Sequence, residues 1–349
     1  MNNIHRLSDG TCWDQSEKGL LPQIVEEMFA LRDEYKQKMK DTTDPTEKAG
    51  WNTMQLAVKR VMASFYGMTA NAHWGWADFD IASAITACGR EAIKFLLEES
   101  EKQGYNSLYG HTDSAFVQVP FEEAQALADH LTIEVQKQLN ANQLFVEFEA
   151  YMPYWVVGGK NLYYGICSWP PEDKGKSKSA RWGKISTLAP ISRNLERDVL
   201  NMLCTGLEES QITNEVRPIS ILIKKGEAGL DEVSGVTRLG KNPEDYSPSH
   251  TPSGGKAALY YNRYIAPKSK QNKYQNGDSV KWVYVDGVPE GMYPTNVIAY
   301  RDPTELEGFS LDWGTMVDKL VKQKIKPMFK TMGWDLERAS GAAMPKRYW

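Results

Sequence analysis

The chain has 349 residues, of which 41% are hydrophobic and 25% are charged, and its formal net charge is −4. This composition is that of a globular protein with room for two or three small domains. It contains no run of about 18 apolar residues and no signal peptide, so we expect a cytoplasmic protein with no membrane partner. The net charge argues only weakly against a nucleic-acid partner, because phosphate affinity depends on local basic patches.

Helical spacing dominates the first hundred residues. Apolar side chains recur every three or four positions over residues 20–40, which predicts a helix. Asp44 and Pro45 are typical of a helix start, and a second helix is predicted from there to about residue 66. Two helices joined by so short a turn form a hairpin. A third helix is predicted over residues 81–102, with Gly104 as its C-cap.

Beyond Gly104 short strands alternate with helices. Strands are predicted at residues 107–110, 115–119, 144–151, 161–168 and 279–286. Helices are predicted at residues 122–139, 192–209 and 311–332.

A carboxylate lies at the turn between the first two of these strands. Asp113 follows His111 and Thr112 in this turn, where the flanking strands can fix an exposed side chain. Magnesium prefers oxygen ligands and keeps several waters, so one or two carboxylates plus substrate phosphates suffice to bind it. Two such ions about 4 Å apart can activate a hydroxyl and stabilise a leaving group in phosphoryl transfer. An ordinary turn aspartate is the alternative that this segment alone leaves open.

Basic residues on the first two helices offer a complementary site. Lys59, Ala63 and Tyr66 are spaced i, i+4 and i+7, so they share one helix face. The lysine can hold a triphosphate while the small residue and the ring accept a flat base pair. Arg32 and Lys36 are four residues apart on the preceding helix and can face the same phosphates. A solvated basic face is the alternative for each pair.

The order of these segments resembles that of the family B DNA polymerases. Residues 59–67 are similar to the family's motif B, and residues 109–114 are similar to its motif C. Residues 160–165 resemble the element that grips the primer-template, and residues 237–246 resemble the thumb signature. The resemblance covers about residues 18–332. It identifies the chain as the C-terminal portion of such a polymerase, as in the split polymerases of some phages and archaea.

The resemblance implies a role for each residue at a matching position. Asp113 matches the aspartate that binds both of two catalytic Mg²⁺ ions, and Glu149 resembles an accessory metal carboxylate, with Glu147 as its register neighbour. The motif C neighbours of Asp113 are Tyr109, Gly110, His111, Thr112 and Ser114. The positions that match nucleotide-binding residues are Arg32, Lys36, Lys59, Ala63 and Tyr66. The positions that match DNA-binding residues are Lys160, Tyr163, Arg238 and Lys241.

The implied fold is α+β, the right hand of a polymerase without its N-terminal half. It has helical-hairpin fingers, a partial palm on an antiparallel, ferredoxin-like sheet, and a mainly helical thumb. The expected divisions are a connector at residues 1–19, fingers at 20–67, palm at 68–189, thumb at 190–336 and a tail at 337–349. The expected partners are primer-template DNA, a deoxynucleoside triphosphate and, through the tail, a sliding clamp. In a phage the location would be the host cytoplasm.

Three departures from the family pattern matter. His111 replaces the first aspartate of motif C, and Ala63 replaces the asparagine of motif B. Motif A, whose aspartate is the second metal ligand in the family, has no counterpart in the sequence. We therefore expect an N-terminal partner that supplies motif A and shares the two Mg²⁺ ions. A catalytically impaired DNA-binding subunit and an unrelated ferredoxin-like binding fold are the alternatives.

Overall fold

The computed structural model describes residues 4–7, 10–14, 16–182, 189–290 and 292–341. The chain divides into two compact units, Met1–Glu149 and Ala150–Trp349. Helices predominate, and the described strands form small antiparallel sheets of two or three strands. The expected α+β class is confirmed. None of the described helices is both long enough and apolar enough to cross a membrane.

The first unit follows the predicted order of elements closely. Each predicted helix of this unit is present, with ends that differ by a few residues from those expected. Its elements are β1 (Ile4–Arg6), β2 (Cys12–Asp14), α1 (Leu20–Asp41), α2 (Pro45–Thr69), α3 (Phe79–Lys102), β3 (Asn106–His111), β4 (Ser114–Gln118) and α4 (Phe121–Leu139).

The α1–α2 hairpin is a thin layer of two helices. The side chain of Asp44 caps α2 by accepting hydrogen bonds from the backbone N–H groups of Thr46 and Glu47. Tyr35 stacks on Trp51 across the hairpin, with ring centroids 5.7 Å apart. No residue of α1 is fully buried, and in α2 only Gln55 and Thr69 are. Two helices without a third layer leave their contact residues half-exposed.

The core of the first unit lies between α3, α4 and the β3–β4 hairpin. The apolar faces of the two helices meet there, and the strands cover them. Its buried residues are Leu7, Ala87, Leu96, Leu127, Leu131, Val135 and Leu139.

The strand expected at residues 144–151 is wrong. Residues 145–150 alternate between exposed and half-buried, as the pattern predicted, but residues 144–150 pair with none of the described strands. Side chains of α4 bond this backbone instead: Gln136 donates to the carbonyl of Leu144, and Thr132 Oγ1 accepts from the N–H of Val146. Tyr151 alone forms an isolated bridge, to Trp169.

The second unit combines two three-stranded sheets with a set of helices. Its strands are β5 (Trp155–Gly159), β6 (Leu162–Ile166), β7 (Ser177–Ala180), β8 (Gly235–Arg238), β9 (Ser279–Tyr284) and β10 (Val297–Ala299). Its helices are α5 (Pro190–Leu203), α6 (Glu209–Lys224), α7 (Leu230–Val233), α8 (Ser253–Tyr260), α9 (Ala266–Ser269), α10 (Trp313–Val317), α11 (Gln323–Met332) and α12 (Leu336–Ala339). A π-helical segment, Asp318–Lys322, joins α10 to α11.

Two predictions for this unit need correction. The helix expected at residues 192–209 ends early: α5 stops at Leu203, the chain turns at Gly206, whose φ is +77°, and α6 begins only at Glu209. The expected tail begins within α12, where Ala339 is fully buried. Residues 342–349, which include most of that tail, lie outside the described residues.

One core serves the whole second unit. Val156 and Tyr164 of the β5–β6 hairpin pack in the same cluster as Val199 and Leu200 of α5. The boundary between the two compact units, at Glu149, therefore falls inside the palm expected at residues 68–189. The boundaries of the palm and the thumb remain predictions.

A charged cluster joins α3 to α4 at the edge of the first core. Glu99 is 8% exposed, and its carboxylate accepts hydrogen bonds from Lys102 (2.9 Å) and Gln103 (3.0 Å) and lies 3.2 Å from the His130 ring. The hydrogen bond from Lys102, followed by those from His130 and Gln103, lowers the pKa of Glu99 from 4.5 to about 2.

We expect Glu99→Gln to destabilise the protein by about 1–2 kcal/mol at pH 7, because a charged acceptor binds its donors more strongly than an amide does. A depressed folded-state pKa stabilises above the unfolded value of 4.5, and this contribution is lost as the pH falls towards about 2. The difference between the proteins should therefore shrink below pH 4.5 in denaturant unfolding curves.

Glu98→Gln is the matched control, since Glu98 is exposed and its ion pair with Lys94 is long, at 3.6 Å. It should change the stability by less than about 0.5 kcal/mol. Equal losses in both variants at pH 7 would contradict the role given to Glu99.

Candidate functional site

A β-bulge in β3 sets the direction of the motif C side chains. Ser107 pairs with Val117 and Tyr109 pairs with Phe116, so Leu108 is the extra residue. Without it, Ser107 and Tyr109 would share a face of the hairpin. The bulge places Ser107 on the core side and turns Tyr109 and His111 to the opposite face.

The core side of the hairpin lies tightly on α3. Ser107 Oγ donates to the carbonyl of Leu97 at 2.7 Å. At Gly110 an added Cβ would lie 3.0 Å from both Ile93 Cγ2 and Leu97 Cδ1. Gly110 therefore allows an approach to α3 that a side chain would make tight, and these contacts fix the end of β3 that leads to Asp113.

Asp113 occupies the two-residue turn between β3 and β4. Thr112 has a positive φ of 47°, which closes the turn. The Asp113 side chain is exposed, and Ser114 Oγ lies 3.3 Å from its Oδ1 in a weak hydrogen bond. On the adjacent face Tyr109 stacks on His111 with centroids 6.3 Å apart and an interplanar angle of 19°. An exposed carboxylate on a braced hairpin can bind a cation.

The described residues fit a magnesium site only in part. They contain no group of three or more histidine, cysteine or acidic side chains that could hold a metal. Asp113 offers two exposed oxygen atoms, which suits a hard cation that takes its other ligands from water and substrate phosphates.

Glu149 lies in the extended segment after α4, where the expected strand does not form. Its side chain is exposed, as is that of Glu147. Exposed and half-buried residues alternate around Glu147 and Glu149, as the sequence pattern predicted. The segment is not part of a described strand, so sheet pairing does not set the orientation of these two side chains.

The residues expected in the fingers lie on α1 and α2 as their spacing predicts. Lys59, Ala63 and Tyr66 are exposed along one face of α2. Arg32 is half-buried and its Nε donates to Gln55 Oε1 at 3.3 Å, while Lys36 lies 3.7 Å from Asp33. Among the described residues, an anion that binds Arg32 and Lys36 competes with the amide of Gln55 and a long ion pair to Asp33.

In the second unit, Lys160 lies at the tip of the β5–β6 hairpin. Asn161 beside it has a φ of +57° and completes a two-residue turn. Tyr163 lies next to Trp155, with ring centroids 5.9 Å apart. Tyr164 points to the opposite face, where its hydroxyl donates to Asn201 Oδ1 at 2.7 Å. The hairpin thus presents Lys160 to solvent from a sheet anchored by Tyr164.

The loop after β8 presents two further cations. Leu239 and Pro243 are buried, and the hydroxyl of Tyr246 accepts a hydrogen bond from the N–H of Gly240 at 2.9 Å. Arg238 and Lys241 remain exposed. Burial of the apolar residues and the hydrogen bond to Tyr246 fix the backbone of this segment, and its two cations are exposed to solvent.

Sequence reasoning missed two positioning residues. Gln55 is a buried amide in an otherwise exposed helix pair, and Ser107 anchors the bulged strand. A polar residue at a heptad contact position could have indicated Gln55. No sequence signal indicates the bulge, because its pairing partner lies across the hairpin.

The chain belongs to DNA polymerase family B, because the family model matches residues 3–323. This agrees with the resemblance carried by motifs B and C.

Individual relatives share part of the chain. A DNA polymerase delta catalytic subunit of Glycine max is 32% identical over 193 residues, covering 50% of this chain and 17% of the relative. A DNA polymerase of Thermococcus sp. (strain 9oN-7) is 34% identical over 31% of this chain and 14% of its own length. A DNA polymerase of Trichoplusia ni ascovirus 2c is 22% identical over 84% of this chain and 29% of its own length. The chain thus spans less than a third of each of these relatives.

The fold has a solved counterpart. The family B DNA polymerase from Pyrobaculum calidifontis matches 99% of this chain with a TM-score of 0.65 and 16% identity, over 41% of the archaeal chain. At this identity the likeness concerns the fold alone.

We expect Gly110→Val to lift the β3–β4 hairpin from α3, because the new side chain would overlap Ile93 and Leu97. The free energy of unfolding should fall by about 1–3 kcal/mol in denaturant titrations. The same substitution should cost less stability in a Leu97→Ala background, measured against Leu97→Ala alone, than it costs in the wild type. The control is Leu108→Val in the same strand, where the side chain is 49% exposed. Equal stability of Gly110→Val and the wild type would show that the hairpin does not pack on α3 in this way.

Proposed function

We propose that this chain is the C-terminal portion of a DNA-directed DNA polymerase, comprising fingers, part of the palm and thumb. It would add deoxynucleotides to a primer 3′ end, as directed by a template. The observation that carries the proposal is the exposed Asp113 on a braced motif C hairpin in a chain of this family.

The residues of this chain supply binding and positioning. Lys59, Arg32 and Lys36 are cations that can hold the triphosphate of the incoming nucleotide. Tyr66, which is 45% exposed, offers a ring for the new base pair to rest on. Asp113 would hold Mg²⁺, which when bound neutralises phosphate charge and lowers the pKa of the attacking hydroxyl.

A second carboxylate must complete such a site. Two-metal phosphoryl transfer depends on fixed anionic ligands on both sides of the ions. We propose that an N-terminal half bearing motif A supplies it, on a separate polypeptide or on a longer form of this one. The two ions would then be shared between the halves. Cytoplasmic location and docking of a clamp by the C-terminal end belong to the same proposal.

The second candidate is a DNA-binding subunit with impaired catalysis. His111 and Ala63 in place of two polar family residues favour it. The exposed Asp113 and Lys59 favour the enzyme, because a binding module needs neither a metal carboxylate nor a triphosphate ligand. Copurification with an N-terminal half, followed by primer extension, tests the two against each other.

We expect Asp113→Ala to abolish Mg²⁺-dependent primer extension by the chain supplied with a motif A half, because Asp113 is the one carboxylate in this turn. Extension should fall by a factor of at least about 10³, comparable to the loss of a major transition-state electrostatic contact. Binding of primer-template should remain within about threefold, because the cations at 160, 238 and 241 are unchanged. Template-directed synthesis by the variant, or by the chain alone, would refute the division of labour.

We expect His111→Asp to retain or increase extension and to lower the Mg²⁺ concentration required, because a carboxylate adds negative charge beside Asp113. His111→Asn is the control, since it removes the imidazole and adds no charge. The measurement is the Mg²⁺ dependence of single-nucleotide incorporation. A loss of activity in both variants would instead assign the imidazole a role of its own, such as anchoring the N-terminal half.

A further inference from the structure

The second unit contains a cavity of about 490 Å³. Its walls come from the end of α8, from the π-helical segment Tyr261–Ile265 that follows it, and from the 3₁₀ turn Pro303–Leu306. Cavities of about 300–1,000 Å³ that combine aromatic side chains with a few polar groups commonly bind small ligands. π-Helical turns are also frequent at functional sites. The cavity is therefore a candidate binding site.

Three aromatic rings line this cavity. Tyr260 is fully buried, and its ring centroid lies 4.8 Å from that of Tyr264 and 6.1 Å from that of Phe309. Tyr264 and Phe309 are only half-buried, so part of each ring is left for a ligand. The hydroxyl of Tyr260 donates to Met292 Sδ at 2.9 Å, and its lone pairs can therefore accept from a ligand N–H.

The lining carries more negative than positive charge. Of the described residues around the cavity, Glu305 and Glu307 are anionic and Lys268 is cationic, which gives a net charge of −1. The carboxylate of Glu305 accepts hydrogen bonds from the Tyr261 hydroxyl at 2.8 Å and from the N–H of Arg301 at 2.7 Å. Burial acts to raise the pKa of Glu305, but these and other hydrogen bonds outweigh it and hold the pKa below 4.5. Glu305 is therefore charged at neutral pH.

Tyrosines beside the cavity already bind cations of the chain itself. Arg263 lies over Tyr293, 5.2 Å from the ring centroid, and Arg301 lies over Tyr274 at 4.2 Å. Within the part of the chain that the structure describes, no lysine or arginine lies in this way over the three rings of the cavity. Aromatic faces beside carboxylates attract organic cations. The cavity offers both features.

We propose that this cavity binds an organic cation, an alkylammonium or alkylguanidinium group, on the rings of Tyr264 and Phe309 with its charge towards the two glutamates. A free polyamine and a lysine or arginine side chain of a partner protein both present this chemistry. None of the described residues that match the family motifs lines the cavity, so the site is independent of the proposed polymerase function.

Phosphate-bearing ligands suit the cavity less well than cations do. A phosphate on the rings would lie beside two carboxylates, and like charges repel. Lys268 is exposed on the short helix α9, and one exposed lysine does not offset two anions.

The test is isothermal titration calorimetry of the full chain without DNA, with n-butylammonium and n-butylguanidinium as cationic probes and n-butanol as the neutral probe. The Kd of a cationic probe should be on the order of 1 mM, as expected for a ligand of so few atoms. n-Butanol should bind at least about tenfold more weakly, because it has no charge to interact with the rings and the carboxylates.

Two substitutions of opposite charge give the site a signature. Glu307→Gln should weaken the binding of n-butylammonium by about two- to fivefold, and Lys268→Gln should strengthen it by a similar factor. Both residues are exposed, so thermal unfolding should be unchanged in both variants. Phe309→Leu keeps an apolar side chain but removes the ring, and it should weaken binding by about two- to thirtyfold.

The matched control is Glu172→Gln, an equal change of charge at an exposed residue that does not line the cavity. It should leave the Kd within error of the wild type. An equal effect of Glu172→Gln and Glu307→Gln would reduce the result to net charge and overturn the inference.

The source of the cation is assigned by comparing putrescine with acetyl-Gly-Lys-Gly-amide and its arginine counterpart. Tighter binding of putrescine supports a free polyamine, and tighter binding of a peptide supports a side chain of a partner protein. Three results would overturn the site itself: no binding of any cationic probe at about 10 mM, equal binding of n-butanol, or shifts of the same sign in Glu307→Gln and Lys268→Gln. None of these results bears on primer extension.

Discussion

The close approach of the β3–β4 hairpin to α3 is the contact on which the candidate site depends. Gly110 packs so closely on α3 that an added Cβ would lie 3.0 Å from Ile93 and Leu97, and Ser107 bonds the α3 backbone, so the strand before Asp113 is held at two points. A carboxylate that must position a cation needs this support, because an exposed side chain has no packing of its own to restrain it. The bulge at Leu108 makes both contacts possible within one short strand.

Stability is distributed unevenly within the first unit, in a way that suits nucleotide binding. The α3–α4 core has fully buried leucines and the Glu99 cluster, whereas α1 contributes no buried residue. Elements with few buried contacts open at low cost. The hairpin that carries Arg32 and Lys59 is thus the part best able to change position in the proposed binding of a triphosphate. The part that carries Asp113 is the part best able to stay in place.

The local arrangement of charge on the surface differs from what the net charge of the chain indicates. The chain is slightly acidic, yet among its exposed cations are Lys160 at a hairpin tip, Arg238 and Lys241 at the end of β8, and Lys330 on one helix flank of the second unit. In each place buried neighbours fix the backbone: Tyr164 behind Lys160, Leu239 beside Arg238, and Phe329 beside Lys330. Net charge therefore gives little information about partners here, since binding to a polyanion depends on the spacing of a few fixed cations.

The sequence by itself determined the helices of the first unit, the β3–β4 turn and the exposed face of α2, because these depend on local periodicity and capping. It also carried the family resemblance, since the motifs are contiguous. Only the tertiary structure decided that residues 144–150 form no strand, that the chain breaks between α5 and α6, and that Leu108 is bulged. Each of these depends on which distant group satisfies a backbone hydrogen bond or fills a space, and no local pattern encodes that choice.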